Sequence, residues 1–323
     1  MEKVSKVNRS REWFDTPELY GWMRRAAFKA EGFTEESYEG KPIIGICNTW
    51  SELTHCNSHL RDLAEAVKRG VWQTGGFPME FPVMSLGEVN MKPTTMLYRN
   101  LLSMDVEESI TANPLDAVVV LGGCDKTTPA LLMGAASANI PTILVTGGPQ
   151  LKGNWKGEEL GSCTDCRRYE IELRAGNITE DDWAELQSCI VRSNGHCMTM
   201  GTASTMATIG EALGLALPGN AAIPAVDSRR KQLAEEAGRQ AVRIVGTDLI
   251  PSKLINQKSI ENAIRCIHAI GGSTNSIIHL IAIAGRVGIK LPLELFDELA
   301  KTTPFILNLK PSGKYLMEDF YYA

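Results

Sequence analysis

AVVVLGGCDKTTPALLMG, residues 117–134, opens as an unbroken apolar run, turns on two glycines and continues in helix-forming residues. A run that is apolar at every position belongs to a strand covered on both faces, the mark of a parallel sheet under helices. Gly122 and Gly123 let the chain turn sharply and pass close to a ligand, and the following helix would begin with its N–H groups toward the same space. Similar short runs stand at 43–47 (IIGIC), 79–84 (MEFPVM) and 142–146 (TILVT), with helical patterns at about 59–74, 93–108 and 128–139. That spacing is the spacing of βαβ units, so the expected fold is α/β, an open, mainly parallel sheet flanked by helices. Ligands should gather at the carboxyl ends of its strands.

Outward from this core the pattern changes after Gly147-Gly148-Pro149. Residues 150–180 are polar and rich in glycine, and are expected to form a long surface excursion. Helical patterns then recur at 181–192, 203–213, 229–245 and 259–270, followed by GGSTN (271–275) and another apolar helix through about 283. With no repeat, low-complexity tract or linker, residues 1–323 read as one α/β domain. The chain stops at MEDFYYA without a polar tail, which reads as a cut inside a structured segment of a longer protein.

Composition removes several function classes. With 33 Lys+Arg against 38 Asp+Glu, a net charge of -5, 44% hydrophobic and 22% charged residues, the chain is neither disordered nor fibrous. No basic block offers a footprint for nucleic acid. No apolar run approaches the roughly 20 residues that span a bilayer. MEKVSKVNRSREWF lacks the apolar stretch of a secretory leader, so a cytoplasmic protein is expected. Its eight cysteines then read as thiols rather than a disulfide framework.

Three of those thiols share a context. Cys124 follows the strand at 117–121, Cys56 lies in NTWSELTHCNSHL after the strand at 43–47, and Cys197 lies in SNGHCMTMGTAST before a helix. Each alone could be a buried structural thiol; three at element junctions favour a joint metal or iron–sulfur site. A cluster held by three thiolates can leave one iron open as a Lewis acid. Glu88 and Asp125, just past two strands, would face the same crevice and suit a Mg²⁺ that keeps waters, although Glu88 could equally be a solvated loop acid. Lys126 beside them could pair with the acids or be carbamylated into a carboxylate-like ligand. Cys163 and Cys166 form a CxxC without the second pair a zinc site needs, and Cys47, Cys189 and Cys266 read as core. His55, His59 and His196 flank the candidate ligands; His268 and His279 read as structural. Ser273 and Thr274 in GGSTN could cap a helix or hold a substrate carboxylate. The chain holds no GxGxxG, Walker loop, HExxH or GxSxG.

GGCDKTTPALLMG (122–134) resembles the first signature of the dihydroxy-acid and sugar-acid dehydratase family (IlvD/Edd). The resemblance extends over GICNTWSELTHCNSHLRDLAEAVKRG (45–70), VTGGP (145–149), NGHCMTMGTAST (194–205), ALPGNAAIPA (216–225) and GGSTN. SLGEVNMKPTTMLYRNLLSMDVEE (85–108) is closer to the sugar-acid branch. The resemblance implies a hydro-lyase that converts an aldonate, such as L-arabinonate or D-xylonate, to the 2-keto-3-deoxy acid. It implies an iron–sulfur cluster, 2Fe-2S in preference to 4Fe-4S, on Cys56, Cys124 and Cys197. It also implies Mg²⁺ on Glu88, Asp125 and a carbamylated Lys126, and a homo-oligomer, dimer or tetramer. Family members run to well over five hundred residues, and their C-terminal β-barrel-like domain, absent here, carries the serine base. Taken alone this length of chain is expected to be inactive. Where the family commonly has Pro before the first ligand cysteine, this chain has His55. Three other readings stay open: a branched-chain dihydroxy-acid dehydratase, an iron–sulfur electron carrier using Cys163 or Cys166 as a fourth ligand, and a zinc-stabilised binding module.

Overall fold

In a computed structural model, residues 8–323 are described; the first seven residues, on which part of the leader reading rests, and the side chains of Trp13 and Cys163 lie outside the described residues. Three helices, α1 (Arg11–Phe14), α2 (Leu19–Ala30) and α3 (Glu35–Tyr38), lead in. Strand and helix then alternate: β1 (Ile43–Asn48), α4 (Leu60–Gln73), β2 (Phe77–Pro82), α5 (Arg99–Thr111), β3 (Ala117–Gly122), α6 (Thr127–Ala138) and β4 (Thr142–Thr146). The four strands form one parallel sheet in the order β2-β1-β3-β4. β1, β3 and β4 are buried along their whole length, as their unbroken apolar runs predict.

β2 begins and ends two residues before the expected 79–84, because Ile43 pairs with Phe77 and an edge strand needs burial on one face only. The expected surface excursion is a structured lobe. A hairpin of β5 (Gly153–Trp155) and β6 (Glu158–Leu160) and the helices α7 (Ser162–Arg174) and α8 (Glu180–Ile190) enclose Trp155, Leu160, Tyr169, Leu186 and Ile190. Its apolar residues are too widely spaced among polar ones to read as one face from sequence. The remainder is α9 (Thr202–Ala212), α10 (Ser228–Arg243), α11 (Pro251–Leu254), α12 (Gln257–Ile270), α13 (Asn275–Arg286), α14 (Glu294–Ala300) and α15 (Met317–Tyr322).

Two apolar layers hold the sheet between them. α5, α6, α9, α12 and α13 cover one face, and α4 with α10 covers the other. α4 and α10 pack backbone to backbone: a methyl group at Gly70 would run into the carbonyl oxygen of Glu235. From α10, the fully buried Arg230 donates to the carbonyls of Thr146, Asn220 and Ile223, tying the end of β4 to the loop before α10. Burial without a bonded carboxylate pulls its guanidinium down to about 9. Gly70→Ala must push α10 off α4 and is expected to cost about 1–3 kcal/mol. A thermal midpoint several degrees below wild type is the expected reading, and an unchanged midpoint would contradict this packing.

Candidate functional site

In-register pairing puts Asn48 of β1 opposite Pro82 of β2 and Leu121 of β3, so three loops leave the sheet at one level. The first carries Cys56 in a short turn, His55–Asn57, with its thiol buried. Asn57 fastens that turn by donating to Thr49 O at 3.2 Å and to Ser85 Oγ at 2.9 Å. The second loop carries Glu88 and is tied to α6: Thr127 Oγ1 donates to Leu86 O at 3.1 Å and accepts from Leu86 N at 3.3 Å. The third is Gly122-Gly123-Cys124-Asp125-Lys126. A Cβ at Gly123 would sit 2.9 Å from Cys56 O, so only glycine lets the first and third loops approach this closely.

Cys197 arrives from outside the sheet. Gln150 N donates to His196 O at 2.8 Å and His196 N to Gly148 O at 2.9 Å, which lays the Cys197 segment along the exit of β4. Cys56, Cys124 and Cys197 thereby line one cavity of about 380 Å³ together with Glu88 and Asp125. Lys126 is buried beside them, its Nζ 3.6 Å from both carboxylates. Thr95 Oγ1 donates to Glu88 and so orients it.

Polar groups surround the sulfurs. Cys124 accepts from the Cys56 thiol and from the backbone N–H groups of Glu88 and Asp125; these bonds pull it down and leave Cys56 well above the ordinary thiol range. Ser162 Oγ donates to Cys197 Sγ at 3.3 Å, and His55 Nε2 lies 3.5 Å from Cys56 Sγ. Gln150, only 1% exposed, lines the same cavity, and its buried Nε2 has no hydrogen-bond partner among the described residues. Among those residues no three His, Cys, Asp or Glu side chains converge on a point where a single ion would sit. The three thiols instead share one cavity, and two of them, Cys124 and Cys197, accept hydrogen bonds from neighbouring donors. The donor set fits an iron–sulfur cluster, and the two carboxylates beside Lys126 fit a hard cation.

Asp125 and Cys197 also line a second cavity of about 660 Å³, shared with Arg167, Thr199, Thr202, Ser273 and Thr274. Thr274 caps α13 without a side-chain bond, while Ser273 Oγ bonds Thr202 Oγ1 at 2.8 Å. Cys47 is core as expected, whereas Cys189 and Cys266 are half-buried on their helices and do not join the site. Cys166, read from sequence as part of a surface CxxC, stands in the wall of the first cavity because α7 folds back over it. Sequence reasoning passed over Gln150, Ser162 and Arg167; for Gln150 a signal existed, since it directly follows VTGGP at a strand's carboxyl end.

The profile of the dihydroxy-acid/6-phosphogluconate dehydratase N-terminal domain matches residues 41–323. An L-arabonate dehydratase of Azospirillum brasilense is 55% identical over 315 residues, 98% of this chain and 54% of that protein. An L-arabinonate dehydratase of Rhizobium leguminosarum bv. trifolii is 53% identical, again over 98% of this chain and 54% of the relative. A dihydroxy-acid dehydratase of Caldicellulosiruptor bescii is 39% identical over 93% of this chain and 55% of its own. The chain spans about half the length of the curated relatives it matches.

Behind Lys126, His279 of α13 is fully buried, with Nδ1 2.8 Å from Arg99 Nη1. Since arginine only donates, Nδ1 accepts and the ring is neutral; burial, then Arg99 and Lys126, bring it down to about 3. The unfolded chain takes up this proton near the ordinary histidine value of about 6.5 while the native state does not. The contribution is therefore complete above about pH 6.5 and is lost as the pH falls toward the native value. His279→Gln keeps an acceptor for Arg99 and is expected to reduce the fall in unfolding free energy by about 1.4 kcal/mol per pH unit between about pH 6 and pH 4. Urea titrations at several pH values check this, and parallel slopes for wild type and variant would contradict it.

Proposed function

The chain belongs to the dihydroxy-acid/6-phosphogluconate dehydratase family, and from that premise we propose that it is the iron–sulfur- and Mg²⁺-binding part of a sugar-acid dehydratase. The substrate is an aldonate such as L-arabinonate or D-xylonate, and the product is its 2-keto-3-deoxy acid. The observation that carries the reading is the cavity itself, in which the three thiols meet two carboxylates, with the buried Lys126 beside those carboxylates. In this proposal Cys56, Cys124 and Cys197 hold the cluster, and Glu88, Asp125 and a carbamylated Lys126 hold Mg²⁺. When bound, these groups supply a soft Lewis acid toward the C3 hydroxyl and a hard one toward the carboxylate and C2 hydroxyl. Overall, C2 gives up a proton, C3 gives up its hydroxyl as water, and the enol formed becomes the ketone.

The chain's own residues orient and shield. Asp125 is half-buried, and desolvation raises its carboxyl while Lys126 opposes the shift, so a cation beside it would favour the charged form. Val89 and Val191 wall the first cavity and keep it apolar around the sulfurs. The second cavity is lined by Thr199, Thr202, Ser273, Thr274 and Arg167, residue types able to bond the hydroxyls and carboxylate of a sugar acid. Ser273 and Thr274 are proposed as substrate contacts there. The proton acceptor at C2 is proposed to come from residues beyond this stretch, in a further β-barrel-like domain.

A second reading has a specific observation in its favour. Cys166 stands in the cavity wall, as a four-thiolate electron carrier would require. It leaves Glu88, Asp125 and Lys126 without a role. Iron, acid-labile sulfide and the visible spectrum of anaerobically purified full-length protein separate the two. Cys197→Ser is expected to lose the cluster band and most bound iron, and Cys166→Ser to keep both. Dependence on Cys166 equal to that on Cys197 would overturn the three-thiolate site. Glu88→Gln is expected to retain the band and lose at least about a hundredfold in pentonate turnover, as loss of a metal ligand implies.

A further inference from the structure

Among the described residues lining the first cavity, Gln150 alone carries a buried side-chain polar atom without a partner, and that atom is a donor. Its backbone is held on both sides. Gln150 N bonds His196 O at 2.8 Å, and Ala225 N bonds Pro149 O at 2.9 Å, so the side chain leaves a fixed point at the exit of β4. It is 1% exposed and lines the same space as Cys56, Cys124 and Cys197. Other polar groups of this wall already meet thiols: His55 Nε2 lies 3.5 Å from Cys56 Sγ, the Glu88 and Asp125 backbones donate to Cys124, and Ser162 Oγ donates to Cys197. A carboxamide kept in an apolar, sulfur-rich wall with its N–H unmet is matched to an acceptor that the protein itself does not provide.

We infer that Gln150 is a positioning residue whose Nε2–H donates to a sulfur of the bound cluster, holding the cluster in the cavity and raising its reduction potential. The inference rests on the cluster reading above. An N–H pointed at a cluster sulfur stabilises the reduced state, which carries the extra negative charge, more than the oxidised state. Such outer hydrogen bonds also slow the loss of the metal group they orient. Gln150 differs from the three thiols in supplying no ligand, so its removal should weaken the cluster rather than abolish it.

The test uses full-length protein carrying its cluster, without substrate, and reads the reduction midpoint and the rate of iron loss to a chelator. Gln150→Met keeps length and apolar volume while deleting the donor. It is expected to lower the midpoint and to release iron about tenfold faster. Gln150→Glu replaces the donor with a negative acceptor and is expected to shift both further in the same direction. Gln150→His restores an N–H and is expected to return both toward wild type, a recovery that a purely packing role would not produce. Wild-type midpoints and release rates in both the Met and Glu variants would overturn this inference alone. A wild-type protein that takes up neither iron nor sulfide would overturn the cluster reading, and this inference with it.

Discussion

Parallel pairing of β1 with both β2 and β3 brings three carboxyl ends to one level, and the groups around the first cavity depend on that alignment. Glu88, Cys124 and Asp125 lie a short loop beyond Pro82 and Gly122, and Cys56 a longer one beyond Asn48. The loops are then joined to each other rather than left to solvent. Asn57 ties the first loop to Ser85, Thr127 ties the second to α6, and Gly123 lets the third lie against Cys56. A one-residue slip of β2 against β1 would carry Glu88 away from Asp125 and turn alternate side chains of β2 to the wrong face. The layers of α4 with α10, and of α5, α6, α9, α12 and α13, hold the register by burying both faces of the sheet.

Around the cavity, Cys124 and Cys197 accept from donors, and the groups that bear on Lys126 are acids. Buried thiols would ordinarily resist ionisation. Here the pair Cys56–Cys124 shares one hydrogen bond, and two backbone N–H groups favour Cys124 as the charged partner. The histidines nearby stay neutral: His196, fully buried, is brought down to about 3 by desolvation, and His279 to a similar value. Charge inside this wall is thus confined to the groups proposed to meet metal or substrate, and their neighbours offer hydrogen bonds only.

Much of this was legible in the amino-acid sequence. The unbroken apolar runs of β1, β3 and β4 announced a doubly covered parallel sheet because burial on both faces leaves no alternation to hide the signal. Cys56, Glu88, Cys124, Asp125 and Lys126 were readable as a group because each follows a strand end. Cys197 was harder: it reaches the site by pairing with the exit of β4, a contact between segments far apart in the chain. The lobe at 150–180 was misread as excursion because its small core is assembled from residues of a hairpin and two helices, none of which shows a long apolar face. Cys166, Ser162 and Arg167 went unassigned for the same reason, since only the fold of that lobe turns α7 toward the two cavities.

The most direct measurement is anomalous diffraction at the iron edge from anaerobically grown crystals of the full-length protein with Mg²⁺ present. The expected result is iron signal bounded by the sulfurs of Cys56, Cys124 and Cys197, with a separate density that gives no iron signal among Glu88, Asp125 and Lys126. Iron bonded to Cys166 as a fourth thiolate, or iron signal at the carboxylates, would contradict the division of this cavity between a soft and a hard Lewis acid.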